Sequence, residues 1–86
     1  MHDLSLFSKR LKALRMNANL TQKQLAEESA TSERAIQNYE SGIRLADTRV
    51  LIKFCQYFNI SSDYLLGLID EPKSFREENT SSDQNQ

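Results

Sequence analysis

The chemistry open to this chain is limited by which reactive side chains it carries. Among 86 residues there is one histidine, His2, and one cysteine, Cys55. A Cys/His nucleophile or a zinc site needs partners at defined spacing, and neither residue has them. Cys55 falls on the apolar side of a predicted helix and reads as core, not as a redox group. No glycine-rich loop is present to cradle a phosphate. The expectation is no catalytic residue, no metal and no cofactor, hence no enzyme. A single cysteine excludes an internal disulfide and suits the reducing cytoplasm. No signal peptide or long apolar run points to export or to a membrane. What remains is a short cluster of hydrogen-bonding groups, Glu33, Arg34, Gln37 and Asn38, whose chemistry is recognition.

These groups sit in the stretch TQKQLAEESATSERAIQNYESG, Thr21 to Gly42. Thr21 can cap a first helix, and Gln24 three residues on completes a capping box. Leu25 and Ala26 form a narrow apolar strip, and Ala26 is small enough for a close crossing. Ser29-Ala30-Thr31 is long enough only for a sharp corner. Ser32 caps a second helix with Ile36 and Tyr39 on one face and Glu33, Arg34, Gln37 and Asn38 on the other. Gly42 closes it where a left-handed residue costs least. Two short helices around a tight corner make the helix-turn-helix pattern, whose second helix can enter a DNA major groove.

The rest of the chain supplies the support. Ser5 to about Ala18 is expected as a first helix, with Phe7, Leu11 and Leu14 on its apolar stripe and Lys9, Arg10 and Lys12 on its solvent side. Leu20 is placed as a hydrophobic staple before Thr21. Ile43 to Ala46 is an extended connection, and Asp47 caps a helix carrying Val50, Leu51, Phe54, Cys55 and Phe58. Asn59 ends it; Ser61 then caps a short fifth helix with Tyr64, Leu65 and Leu66, closed by Gly67. The fold class predicted is all-α, a five-helix bundle occupying residues 1–69. Residues 70–86 are read as an acidic, polar tail, disordered by composition. Through Ile69 there are nine Lys/Arg against seven Asp/Glu, or +2; from Asp70 there are two against five, or −3. That weak field cannot by itself carry nucleic-acid binding, which would need a local patch.

From Phe7 to Leu68 the sequence resembles the phage-repressor and Cro-like helix-turn-helix regulators, the XRE type. The segments that carry the resemblance are RLKALRMNANLTQKQLA, SERAIQNYESG and ISSDYLLGL, in that order. It departs from the family at Ala30, where glycine is usual, and at Ala46, where proline is often found. A left-handed Ala30 would cost roughly 1 kcal/mol.

The resemblance implies a set of roles. Ser32, Glu33, Arg34, Gln37 and Asn38 match the positions that face base edges in the major groove. Arg34 suits guanine O6 and N7, Gln37 or Asn38 adenine N6 and N7, and Glu33 cytosine N4. Glu33 has alternative partners in Arg34 or Lys23, and the face taken alone, without the surrounding motif, reads as an ordinary solvated one. Gln22, at the start of the second helix, is placed to meet a phosphate, followed by Thr31, Lys23 and Arg44. Arg15 and Glu40 match a buried pair that sets the angle between the first and third helices. One reading helix covers only about four or five base pairs, so a dimer on a palindromic operator is expected. Ile60, Tyr64, Leu65, Leu68 and Ile69 are the candidates for its interface, and no small-molecule ligand is called for. The function implied is a sequence-specific DNA-binding regulator, a repressor. The alternative is a protein-interaction module, antirepressor- or antitoxin-like, kept open by the net charge of −1 and by Glu33. A nonspecific architectural binder fits the low positive charge least well.

Overall fold

The computed structural model describes residues 5–75. Five helices follow one another: α1 (Ser5–Asn17), α2 (Gln22–Glu28), α3 (Glu33–Glu40), α4 (Thr48–Phe58) and α5 (Ser62–Leu66). The described residues contain no strand, so the class is all-α. No described helix is long and apolar enough to cross a membrane. His2 and residues 76–86 lie outside the described residues.

Side-chain caps start four of the helices. Thr21 Oγ1 accepts from the Gln24 N–H at 3.0 Å while Gln24 Oε1 accepts from the Thr21 N–H at 2.8 Å, a complete capping box. Ser32, Asp47 and Ser61 accept in the same way from Ala35, Val50 and Tyr64. The ends of α2 and α3 use one device on two different residues. The Thr31 N–H reaches back to the Ala26 carbonyl at 3.0 Å, and the Ile43 N–H to the Asn38 carbonyl at 3.0 Å. Each closes a Schellman turn around a left-handed residue. In α3 that residue is Gly42, at φ +83°; in α2 it is Ala30, at φ +56°. The alanine therefore carries the left-handed backbone that glycine would adopt without strain.

Between the helices lies a core of Phe7, Leu11, Leu25, Ile36, Tyr39, Val50, Phe54 and Leu65, each almost wholly buried. Tyr39 is its centre. Its ring meets Phe7 edge-on at 6.2 Å and Phe54 edge-on at 6.0 Å, so α3 is keyed to α1 and α4 by aromatic contacts. Helix α3 packs across α1 and α2, and α5 is held between α1 and α4.

Three expectations change. Arg10 does not face solvent: its guanidinium lies 4.1 Å from the Tyr64 ring centroid, and Nη1 donates to the carbonyls of Tyr64 at 2.5 Å and Ile69 at 2.8 Å. The spacing of α1 sets Arg10 off the apolar stripe, but α5 packs against that flank. Second, the ordered chain passes Ile69: the Lys73 carbonyl accepts from the buried Ser61 N–H at 2.7 Å, and Phe75 packs on the core. One aromatic in a polar stretch was enough to extend the packed unit. Third, Ile60 and Leu65 are core, 7% and 0% exposed. Ile60 packs inward just ahead of α5 and Leu65 on its inner side, so neither presents a side chain to a partner.

Candidate nucleic-acid interface

Helix α3 is two-sided. Ile36 and Tyr39 are buried on its inner face, while Glu33, Arg34 and Gln37 are exposed on its outer face and Asn38 is half-buried beside them. The period of the helix places Arg34, Gln37 and Asn38 on one ridge, with Ser32 and Glu33 at its N-terminal end. The Ser32 hydroxyl accepts from Ala35 and so caps the helix while leaving its own proton to donate. This ridge offers a guanidinium fork and two carboxamides, the groups whose geometry matches base edges.

Beneath the ridge, at the C-terminal end of α3, Glu40 is the junction of three elements. Arg15 Nε donates to Glu40 Oε2 at 2.7 Å and Arg15 Nη2 to Glu40 Oε1 at 3.1 Å, a bidentate pair from α1 to α3. Arg15 Nη1 donates to the Leu20 carbonyl at 2.8 Å, and Gln22 Nε2 donates to Glu40 Oε1 at 3.1 Å. The two charged side chains are 13% and 5% exposed. A buried, fully bonded carboxylate thus ties the last turn of α1 and the first of α2 to the end of α3.

The structure disperses the other candidates around this frame. Gln22 is half-buried and engaged with Glu40, a contact the sequence did not reveal; the second N–H of its carboxamide is left to meet another group. Lys23 is exposed on the outer side of α2, and Thr31 is half-buried in the turn that leads into α3. Arg44 follows α3, exposed, with its guanidinium 5.6 Å from the Tyr39 ring centroid. Tyr64, Leu68 and Ile69 lie on and just beyond α5, away from the ridge in sequence; Leu68 is 62% exposed and the other two are half-buried.

A capped second helix presenting polar side chains outward from a buried aromatic hinge defines a helix-turn-helix protein. The family model described as "HTH_3: Helix-turn-helix" matches residues 11–65, and the chain belongs to this family, of the XRE type. It is 44% identical over 59 residues to the HTH-type transcriptional regulator ImmR of Bacillus subtilis (strain 168), covering 69% of this chain and 46% of that protein. The chain thus spans about half the length of that curated relative. Among solved structures, it is similar to the restriction-modification controller protein C.AhdI from Aeromonas hydrophila, with TM-score 0.66 and 28% identity over 73% of this chain and 96% of that one. The P22 c2 repressor, solved with a synthetic operator, shares the fold with TM-score 0.69 and 24% identity over 71% of this chain and 92% of that one.

Proposed function

We propose that this chain is a sequence-specific DNA-binding transcriptional repressor that acts as a dimer on a palindromic operator. One observation carries the reading: α3 stands with its apolar side buried and its Arg34–Gln37–Asn38 ridge exposed, on a frame locked by Arg15, Glu40 and Gln22. The relatives named as transcriptional regulators, and the operator bound by the P22 c2 repressor, support it. In this reading Ser32, Glu33, Arg34, Gln37 and Asn38 meet base edges, while Gln22, Lys23, Thr31 and Arg44 meet phosphates and fix the register. Two copies supply two half-sites, with Leu68, Ile69 and Tyr64 at the pairing surface.

Selection of bound duplexes from random DNA tests the proposal. A two-fold site should emerge, and Arg34→Ala should weaken binding to it by about 2–6 kcal/mol, at least about 30-fold, because each of the two half-sites loses a bidentate base contact of about 1–3 kcal/mol. Asn38→Ala should relax a different base position. Enrichment of no sequence at about 50 mM salt, where phosphate contacts are strongest, would leave the protein-interaction reading in its place. The exposed Glu33 on the ridge is the feature that favours that second reading.

A further inference from the structure

Helix α5 has five residues, too few to hold its shape by its own hydrogen bonds. Leu65 is its one buried side chain. Its end is closed by a left-handed Gly67, with the Gly67 N–H on the Tyr64 carbonyl at 3.0 Å and the Leu68 N–H on the Asp63 carbonyl at 2.8 Å. Beyond that turn the chain exposes Leu68 and half-buries Ile69. Downstream, the Lys73 carbonyl and Phe75 return the chain to the bundle, and at the turn itself Arg10 joins it to α1. One guanidinium stacks over the Tyr64 ring and donates from Nη1 to the carbonyls of both Tyr64 and Ile69, residues on either side of the turn. A guanidinium can do both at once because its planar face and its edge donors point in different directions; an ammonium has no such face.

We infer that Arg10 is a positioning residue for self-association: it fixes the turn that presents Leu68 and Ile69 to a second copy of the chain. The inference rests on the dimer in the proposed function and adds to it a residue on α1, outside the pairing surface. Arg10 and Arg15 both stand on α1, so the same helix holds α3 through one arginine and the end of α5 through the other.

The test uses the full chain and three variants, Arg10→Met, Arg10→Lys and Leu68→Ser. Dimer dissociation is measured by sedimentation equilibrium, folding by far-UV circular dichroism during urea unfolding. DNA affinity is measured by fluorescence anisotropy on the duplex selected by the wild-type chain and on that duplex with one half scrambled. Arg10→Met should raise the dimer dissociation constant at least tenfold and weaken full-site binding, while half-site binding stays within about twofold. Arg10→Lys should keep the fold and show the same split in smaller measure, which decides the matter if Arg10→Met does not fold. Leu68→Ser should weaken the dimer in the wild type and add little in the Arg10→Met background. A folded Arg10→Met or Arg10→Lys chain that dimerises as the wild type overturns the inference and leaves the dimer reading standing. Equal losses on the half-site and full site also overturn it, because they mark a general loosening of the bundle. A wild-type chain that is monomeric both free and on its selected site refutes the dimer reading, and the inference with it.

Discussion

Replacing Glu40 by leucine tests whether the pair under α3 holds the fold. Arg15 would keep its Leu20 contact but lose both donations to the carboxylate, and Gln22 would lose its one observed acceptor. With the two side chains 13% and 5% exposed, solvent can do little to compensate. Breaking such a pair from one side costs about 3–5 kcal/mol; the residual exposure of Arg15 argues for the lower figure, about 3 kcal/mol. A domain of this size has about 4–10 kcal/mol in total. The loss should lower Tm by about 12–24 °C at the usual 4–8 °C per kcal/mol. Removing both charges with Arg15→Met and Glu40→Leu should recover most of that, to within about 1–2 kcal/mol of the wild type, because no charge is then stranded. Urea unfolding followed by circular dichroism measures all four corners of the cycle. A single variant that loses less than about 1 kcal/mol, or a double variant no more stable than the worse single, would refute the argument.

Three further outcomes follow from particular atoms. Ala30→Gly should stabilise by up to about 1.6 kcal/mol, the relief of a left-handed alanine, about 1–2 kcal/mol, less the added unfolded-state freedom of about 0.4–1 kcal/mol; calorimetry checks the sign. The Ser29 hydroxyl is buried with no hydrogen-bond partner among the described residues, so Ser29→Ala should raise Tm, by about 4–8 °C for each kcal/mol of relieved desolvation. In the proposed function Lys23 and Arg44 are two phosphate-facing cations per copy, so the proposed dimer should show a log–log salt slope of about −3.6. Lys23→Ala should reduce that slope by about 1.8 at every sequence, as read by anisotropy titrations across salt.

The sequence was most legible where the signal is local. Thr21, Ser32, Asp47 and Ser61 mark their helices because a cap needs only its next three residues, and each does cap in the structure. The corner at Ala30 is local too. Arg10 was illegible because its partners lie 54 and 59 residues away, and nothing in the period of α1 says which neighbour will cover that flank. The division of α5 into inner and outer residues stays open in the sequence for a related reason: five residues make little more than one turn, so Leu65 and Tyr64 cannot be sorted by spacing. Arg15 and Glu40 came from family resemblance, since no spacing in the chain connects two residues 25 apart. Gln22 joins them only because α2 begins beside the end of α3.

The folded part carries little net charge. A net +2 through Ile69 gives little long-range attraction, so in the proposed function the affinity has to come from short contacts whose geometry is already correct before binding. On the ridge itself Asn38 is partly held by burial, while Arg34 and Gln37 are exposed. Their starting positions are set by the backbone of α3, and that backbone is fixed by Tyr39 between two aromatic rings and by Glu40 between Arg15 and Gln22. A change on the ridge removes one contact and leaves the others in place. A change at Glu40 or Tyr39 shifts the base from which all of them start, so it should degrade discrimination at several base positions together. In the proposed function, the residues that decide how well this surface discriminates therefore include Tyr39 and Glu40, which lie beneath the ridge.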